Sequence, residues 1–414
     1  MNKIYIKNPV INRNRINYSY KVEGEWSAAF KTEEPFYIEY NIDVSSVPAS
    51  IAIVPLMCNI LPVAWVYDAH VYLEECDKSF YDSIEDIRQG YQGMFPMMDF
   101  KAEIIANKVI KNDVHNNGSA AAFFSGGADA FNTLVMHADE KPTLLTVWGA
   151  DVKFNDIEGW NNVLTHLRDT AQQFGVDYVT IKSCLRRCFN EAVLCSHVMA
   201  SKDSWWHGFQ HGIGIIGHAA PVSYVLKKET IYFASSFTAA DKGKVTCASD
   251  PTIDNMLRFG DTHIVHDGYE FARQMKIHNI TSYAKKHNKK IALRVCWKST
   301  GGSNCCKCEK CWRTMLGIYA EHFNPRDFGF SYTDEAFKKT ARRMRYSDDP
   351  MLSELRYGPI QDAMRSNWNV DEIDKNLVWF YKRKREKLGK HPIITFTRKA
   401  TGKFSRKLKR ILRR

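Results

Sequence analysis

The chain has 414 residues, 44% of them hydrophobic and 25% charged, which excludes global disorder and leaves room for two or three folded units. Its formal charge is +12, yet residues 382–414 carry fifteen Lys and Arg against the single acid Glu386, so everything before them sums to about −2. A uniformly basic nucleic-acid-binding body is therefore excluded, and the basicity belongs to a C-terminal tail.

The first fourteen residues lack the apolar core and small-residue cleavage pattern of a secretory signal. The longest apolar stretch, 50–66, is interrupted by Pro55, Asn59 and Pro62. It is too short and broken for a membrane span and reads as buried strands around a proline turn. A cytoplasmic location is expected, where eleven cysteines point to metal binding or free thiols and not to disulfides.

Residues 1–111 hold aromatic and β-branched runs at 36–40, 51–54 and 64–72, then a helical period over 80–90, the pattern of an N-terminal α+β accessory domain. A polar joint at 112–119 follows. Beyond it, strands are predicted at 120–124, 143–148, 177–181 and 230–234, and helices at 128–138, 157–174, 189–200 and 208–226. This alternation predicts the α/β class, a parallel sheet with helices on both faces, with ligands at the carboxyl ends of the strands. The expected division is 1–111, a second domain over 112–325, a helical extension over 326–381 and the tail over 382–414.

The strand at 120–124 runs directly into Ser125, Gly126, Gly127, Ala128, Asp129 and Ala130 and then into a helix. Two glycines let the backbone approach an anion, and the helix N-terminus offers unpaired N–H groups. A plain glycine-rich turn capping a helix has the same composition. FFSGGADAF resembles the SGGxDS loop of the PP-loop ATP pyrophosphatases, the adenine nucleotide alpha hydrolase-like superfamily. That resemblance implies cleavage of ATP between its α and β phosphates, with Ser125, Gly126 and Gly127 holding pyrophosphate and Asp129 positioning Mg2+ or the loop. Trp148 and Gly149, ending the next strand, and Ala128 and Ala130 complete the nucleotide-binding set. The superfamily has a serine where this chain has Ala130, so one phosphate donor is missing.

Cys296, Cys305, Cys308 and Cys311 follow a C-x8-C-x2-C-x2-C spacing, with Gly301 and Gly302 turning the chain between the first two. Four thiolates at this spacing suit a closed structural Zn2+ site; an iron–sulfur cluster is the competing reading. Cys306 breaks the spacing and is not expected to be a ligand. Four cysteines downstream of an SGGxDS-like loop resemble the 7-cyano-7-deazaguanine synthase family of the queuosine pathway over roughly residues 118–316. Within that match Arg273 and Lys276 stand at the family's basic positions and are the catalytic candidates beside Asp129.

Two further signals are discounted. GIGIIG (212–217) matches a dinucleotide fingerprint formally, but no strand precedes it, so a packed helix of small residues is expected. His207, His211 and His218 share one helical face with no evident acidic or cysteine partner at helical spacing, which favours a cleft or a satisfied core over a metal. Asp250, His263 and Asp267 are expected in loops as recognition candidates. The tail reads as a solvated segment, as a basic amphipathic helix on an anionic membrane surface, or as an RNA contact.

The function expected is adenylation of a small-molecule carboxylate or carbonyl oxygen by ATP, forming AMP and pyrophosphate, on a substrate different from the synthase's. The alternatives are a non-catalytic nucleotide-binding scaffold and a tRNA-modifying PP-loop enzyme.

Overall fold

Short apolar strands alternating with amphipathic helices, the pattern expected beyond residue 119, fold into a doubly wound sheet. The computed structural model describes residues 1–31, 35–114, 117–296, 298, 301–347, 349 and 351–389. The chain divides into two units, Met1–Glu270 and Phe271–Arg414. That boundary falls inside the 112–325 segment expected to be one domain.

The N-terminal stretch contributes β1 (Lys3–Ile6), β2 (Val10–Asn12), β3 (Arg15–Asn17), β4 (Tyr20–Glu23) and β5 (Tyr37–Tyr40), then α1 (Ala49–Ala52) and α2 (Val54–Val66). β6 (Ala69–Asp77), α3 (Lys78–Met94) and β7 (Ala102–Ile110) follow. Among the described residues a four-stranded sheet has the order β4-β1-β6-β7, while β2, β3 and β5 add to the edge of the larger sheet.

The strands expected in 50–66 are helical instead. Every residue from Val54 to Trp65 is buried, so the run carries no face-to-face alternation from which to distinguish helix from strand. Pro55 sits in the first turn of α2, where no amide donor is needed. Asn59 is fully buried, and its amide donates to the carbonyls of Pro55 at 2.9 Å and Gly214 at 3.0 Å.

The rest of the first unit runs β8 (Ser119–Phe123), α4 (Ala128–Met136), β9 (Thr143–Trp148), α5 (Ile157–Phe174), β10 (Tyr178–Ser183), α6 (Glu191–His197), α7 (Ile213–Ile216) and α8 (Ala219–Leu226). It continues through β11 (Lys228–Ala234), α9 (Pro251–Asp254), β12 (Arg258–Phe259) and β13 (Thr262–Asp267). Five of these strands are mutually parallel in the order β10-β9-β8-β11-β13, which is 3-2-1-4-5 in chain order. The order reverses beside β8, and sheets of this kind bind ligands in the crevice outside the carboxyl ends at that point.

Alternation along the strands buries both faces. Ala121, Phe123, Ile231 and Phe233 face the main core with α2 and α8, while Ala120, Ala122 and Tyr232 face the other way. On that second face His137, just after α4, stacks on Tyr232 at 3.9 Å. α5 is fixed at one end by Asp156, which accepts the Gly159 N–H at 2.9 Å, and at the other by Gly175 at φ +65°.

The single helix expected over 208–226 is broken into a π turn, Trp206–Gln210, followed by α7 and α8. GIGIIG serves packing: a Cβ on Gly212 would lie 2.2 Å from the Ala248 carbonyl oxygen, and one on Gly217 would lie 2.7 Å from Cys58 Sγ.

In the second unit α10 (Arg273–Lys286) precedes the cysteine segment, and α11 (Glu309–Ala320), α12 (Asp334–Arg345), α13 (Glu354–Asn367) and α14 (Val378–Lys382) follow. Trp312, Leu316, Met344, Tyr357, Ile360 and Phe380 anchor its core. Residues 390–414, most of the expected basic tail, lie outside the described residues. Among the described residues no helix is long and apolar enough to cross a membrane.

Candidate functional site

The SGG loop stands at the carboxyl end of β8, the first strand of the 3-2-1-4-5 order. Two bonds fix where the strand ends: the Phe124 N–H donates to the Leu145 carbonyl at 2.7 Å, and Thr146 Oγ1 donates to the Phe124 carbonyl at 2.7 Å. Gly126 then takes φ +77°, a left-handed conformation that favours glycine, and Gly127 becomes the extended N-cap of α4. A glycine cap has no side chain to cover the first turn, so the leading amides and the positive end of the helix dipole suit an anion. Ser125 is exposed and accepts a long bond from the Gly127 N–H at 3.4 Å. Asp129 lies in the first turn of α4, half-buried, between the buried Ala128 and Ala130.

Trp148 and Gly149 end the neighbouring strand β9. The Trp148 ring stacks on Trp160 at 5.0 Å with the planes 5° apart, and the Lys182 ammonium sits 5.5 Å from its centre. Gly149, at φ +110°, is the residue that turns the chain away.

Arg273 and Lys276 belong to the second unit, in the first turn of α10, whereas the loop belongs to the first. Lys276 is only 2% exposed and so is not part of a solvated helix face. His263 and Asp267 are in β13, not in a loop. Asp267 accepts from Thr133 Oγ1 at 2.6 Å and pairs with His137 Nε2 at 2.9 Å, tying the end of β13 to α4. Burial acts to lower the His137 pKa, but the Asp267 and Glu140 hydrogen bonds outweigh it and the net shift is upward. Asp250 caps α9 by accepting the Thr252 N–H at 2.9 Å.

The four predicted cysteines converge. Cys296, Cys305, Cys308 and Cys311 bring their sulfurs within 4.8 Å of one another, with Cys296–Cys308 at 3.9 Å and Cys305–Cys311 at 4.0 Å. Tetrahedral zinc with bonds of about 2.3 Å requires sulfur separations of about 3.8 Å, so the set fits such an ion. Backbone amides reinforce it: Cys305 Sγ accepts from Cys308 N at 3.3 Å, and Cys308 Sγ accepts from Cys311 N at 3.5 Å at the cap of α11. Asn304 binds the Cys296 segment in place, its Oδ1 accepting from the amides of Val295 at 2.9 Å and Cys296 at 3.2 Å. Cys306 takes φ +53° and turns its sulfur away, 3.4 Å from the Ser331 carbonyl oxygen. The donor set also calls for a cation: the hydrogen bond from Cys311 lowers the Cys308 thiol to about 4, while that same bond drives Cys311 up.

The three histidines separate. His218 is fully buried beneath β10, its Nε2 2.7 Å from Ser183 Oγ. His207 and His211 both act to lower the Cys247 thiol pKa, and His207 Nδ1 lies 3.0 Å from both oxygens of Asp203. Helical spacing does provide an acidic partner, four residues before His207, contrary to expectation. Cys247 was hidden from sequence reasoning because forty residues separate it from that histidine. Among the described residues, the four-cysteine group is the one whose donor atoms meet as a metal site would require.

No protein-family model matches this chain, and comparison with curated proteins gives no match.

Proposed function

We propose that this protein binds ATP at the SGG loop and uses it to adenylate a small-molecule carboxylate or carbonyl oxygen, releasing pyrophosphate. The observation that carries this reading is the position of residues 125–129. They form a glycine-capped helix N-terminus at the carboxyl end of the first strand of a 3-2-1-4-5 sheet, beside the reversal of strand order. Ser125, Gly126 and Gly127 hold the β and γ phosphates through backbone amides and a hydroxyl, and Asp129 holds Mg2+ or the loop. Charge developing on the departing pyrophosphate meets amides already aimed at it, which is the electrostatic part of the catalysis. The cysteine cluster holds structural Zn2+ and braces the second unit.

The test is AMP and pyrophosphate formation from ATP and Mg2+ in the presence of a desalted metabolite pool, comparing the wild type with Asp129→Ala. Metabolite-dependent AMP that disappears in the variant supports adenylation. ATP binding without AMP from any fraction of the pool favours a nucleotide-binding scaffold.

A further inference from the structure

A second chemical centre lies after β11. A cavity of about 710 Å³ opens there, lined among others by Met94, Phe237, Lys242, Cys247, Met256 and Tyr269. Its volume is in the range of small-molecule sites. Cys247, on its wall, stands between Thr246, which binds the Asp203 carboxylate, and Ala248, which binds the His207 carbonyl.

The geometry behind the thiol is a relay of fixed groups. Asp203 accepts from Thr246 Oγ1 at 2.6 Å and from the Ser204 amide at 2.7 Å, so the carboxylate cannot swing. It takes His207 Nδ1 at 3.0 Å, which commits that nitrogen and leaves Nε2 to exchange a proton. The segments are locked in register by the Ala248 N–H, which donates to the His207 carbonyl at 2.8 Å. His211 follows one turn further along, its Nδ1 buried without a partner among the described residues. A nucleophile, a base and a group that orients the base are therefore assembled beside a ligand-sized cavity.

We propose that Cys247, His207 and Asp203 form a nucleophilic centre in which Cys247 takes an acyl group from an activated carbonyl substrate bound in this cavity. The Cys247 sulfur attacks the carbonyl carbon, a C–S bond forms, and the bond to the oxygen leaving group breaks. The proton held by His207 goes to that leaving oxygen, giving a thioester on Cys247 and neutral His207. An incoming water or amine then takes the acyl group and passes its proton back to His207, restoring the thiolate–imidazolium pair. The electrostatics agree with this order. Burial opposes the Cys247 thiolate, but the His207 and His211 hydrogen bonds prevail and bring it down to about 7, while Asp203 and then Cys247 raise His207 to about 10. This proposal does not rest on the ATP reading, because any activated acyl donor that fits the cavity meets the same sulfur.

The experiment uses the full chain and p-nitrophenyl acetate, without ATP. The expected result is a burst of p-nitrophenolate equal to one acyl group per chain, with the acetyl group on the tryptic peptide 245–258. The burst is lost in Cys247→Ser and slowed on the order of a hundredfold in His207→Gln, which keeps the thiol. Iodoacetamide alkylation of Cys247 should have a midpoint near pH 7 in the wild type and move towards that of an ordinary thiol in His207→Gln. Each variant is compared at wild-type melting temperature, so a misfolded variant is replaced by Asp203→Asn, which should slow the burst as well. An unacylated Cys247 in the folded wild type overturns the proposal, as does a burst of equal rate in His207→Gln. A bound metal ion lost on Cys247→Ser also overturns it, by converting the centre into a metal site. AMP formation is read separately, so either centre can fail while the other stands.

Discussion

Gly149 lies against the carbonyl of Ser183. A Cβ added at Gly149 would stand 2.0 Å from that oxygen and 2.8 Å from the Phe154 ring, and the residue already holds φ +110°. The carboxyl ends of β9 and β10 are in this way drawn together beside the SGG loop, with the backbone of one strand end packed on that of the next.

Gly149→Ala should therefore cost stability by both strain and steric overlap, about 3 kcal/mol taken together. It should also displace Trp148 and weaken ATP binding. Urea denaturation and equilibrium ATP titration check the two effects. An alanine variant as stable as the wild type would show that the Ser183 carbonyl yields freely.

On the reading that the cysteine cluster holds zinc, the second unit should depend on that metal. A strong chelator should release one zinc ion per chain with loss of helical circular dichroism, since zinc binding supplies about 10–16 kcal/mol to small zinc-dependent folds. Cys308→Ser should purify without zinc and melt early, whereas Cys306→Ser should keep zinc and change stability by less than about 1 kcal/mol. Metal analysis and thermal melts decide this, and zinc retained by Cys308→Ser would sink the four-cysteine assignment.

The contrast between these cysteines and α2 shows what a sequence discloses. Cys296 to Cys311 could be read because metal ligation needs a residue type at a spacing, and both are local. The strands and helices after residue 119 could be read because short apolar runs alternate with longer helical periods, and β9 and α5 occur at their predicted bounds. Residues 54–66 were misread because complete burial erases periodicity. The break at Gly212 is set by contact with Ala248, and the Cys247–His207–Asp203 group by a loop returning from beyond β11. The Gly212–Ala248 approach and the return of Cys247 are tertiary, and neither propensity nor spacing encodes them, whereas Asp203 and His207 are four residues apart and could have been paired from the sequence.

Ala130 tests the phosphate loop by addition. Asp129→Ala should reduce AMP formation by about a hundredfold, the loss of roughly 3 kcal/mol of transition-state stabilisation. Ala130→Ser introduces the hydroxyl of the SGGxDS pattern that the loop resembles, two residues after Ala128 in the first turn. A hydrogen bond worth about 1 kcal/mol to a phosphate oxygen would raise the rate about fivefold. Steady-state AMP assays on both variants measure this, and a serine variant slower than the wild type would place position 130 outside the phosphate cradle.

His218 should make the first unit acid-sensitive. Its ring is fully buried, with Nε2 2.7 Å from Ser183 Oγ and Nδ1 3.1 Å from the Ile215 carbonyl, an arrangement that a neutral ring satisfies by accepting at Nε2 and donating at Nδ1. Burial disfavours the charged ring and outweighs the carbonyl contacts, lowering the pKa to about 4. In the unfolded chain the same imidazole titrates at about 6.5. Between these values the unfolded state binds a proton that the folded state refuses, so stability rises with pH across that window. The contribution is complete above about pH 6.5 and is lost on acidification towards pH 4, to a limit of about 3 kcal/mol. His137 and His207 act in the opposite sense, because their folded pKa values are raised and the stability they add is lost as pH rises. The His218 share is isolated by comparing the wild type with His218→Gln in urea melts at pH 7 and pH 5. The variant should be less stable at pH 7, and its stability should fall less on acidification than that of the wild type. Equal slopes for the two proteins would show that His218 titrates alike in the folded and unfolded chains, and that burial does not disfavour its charged ring.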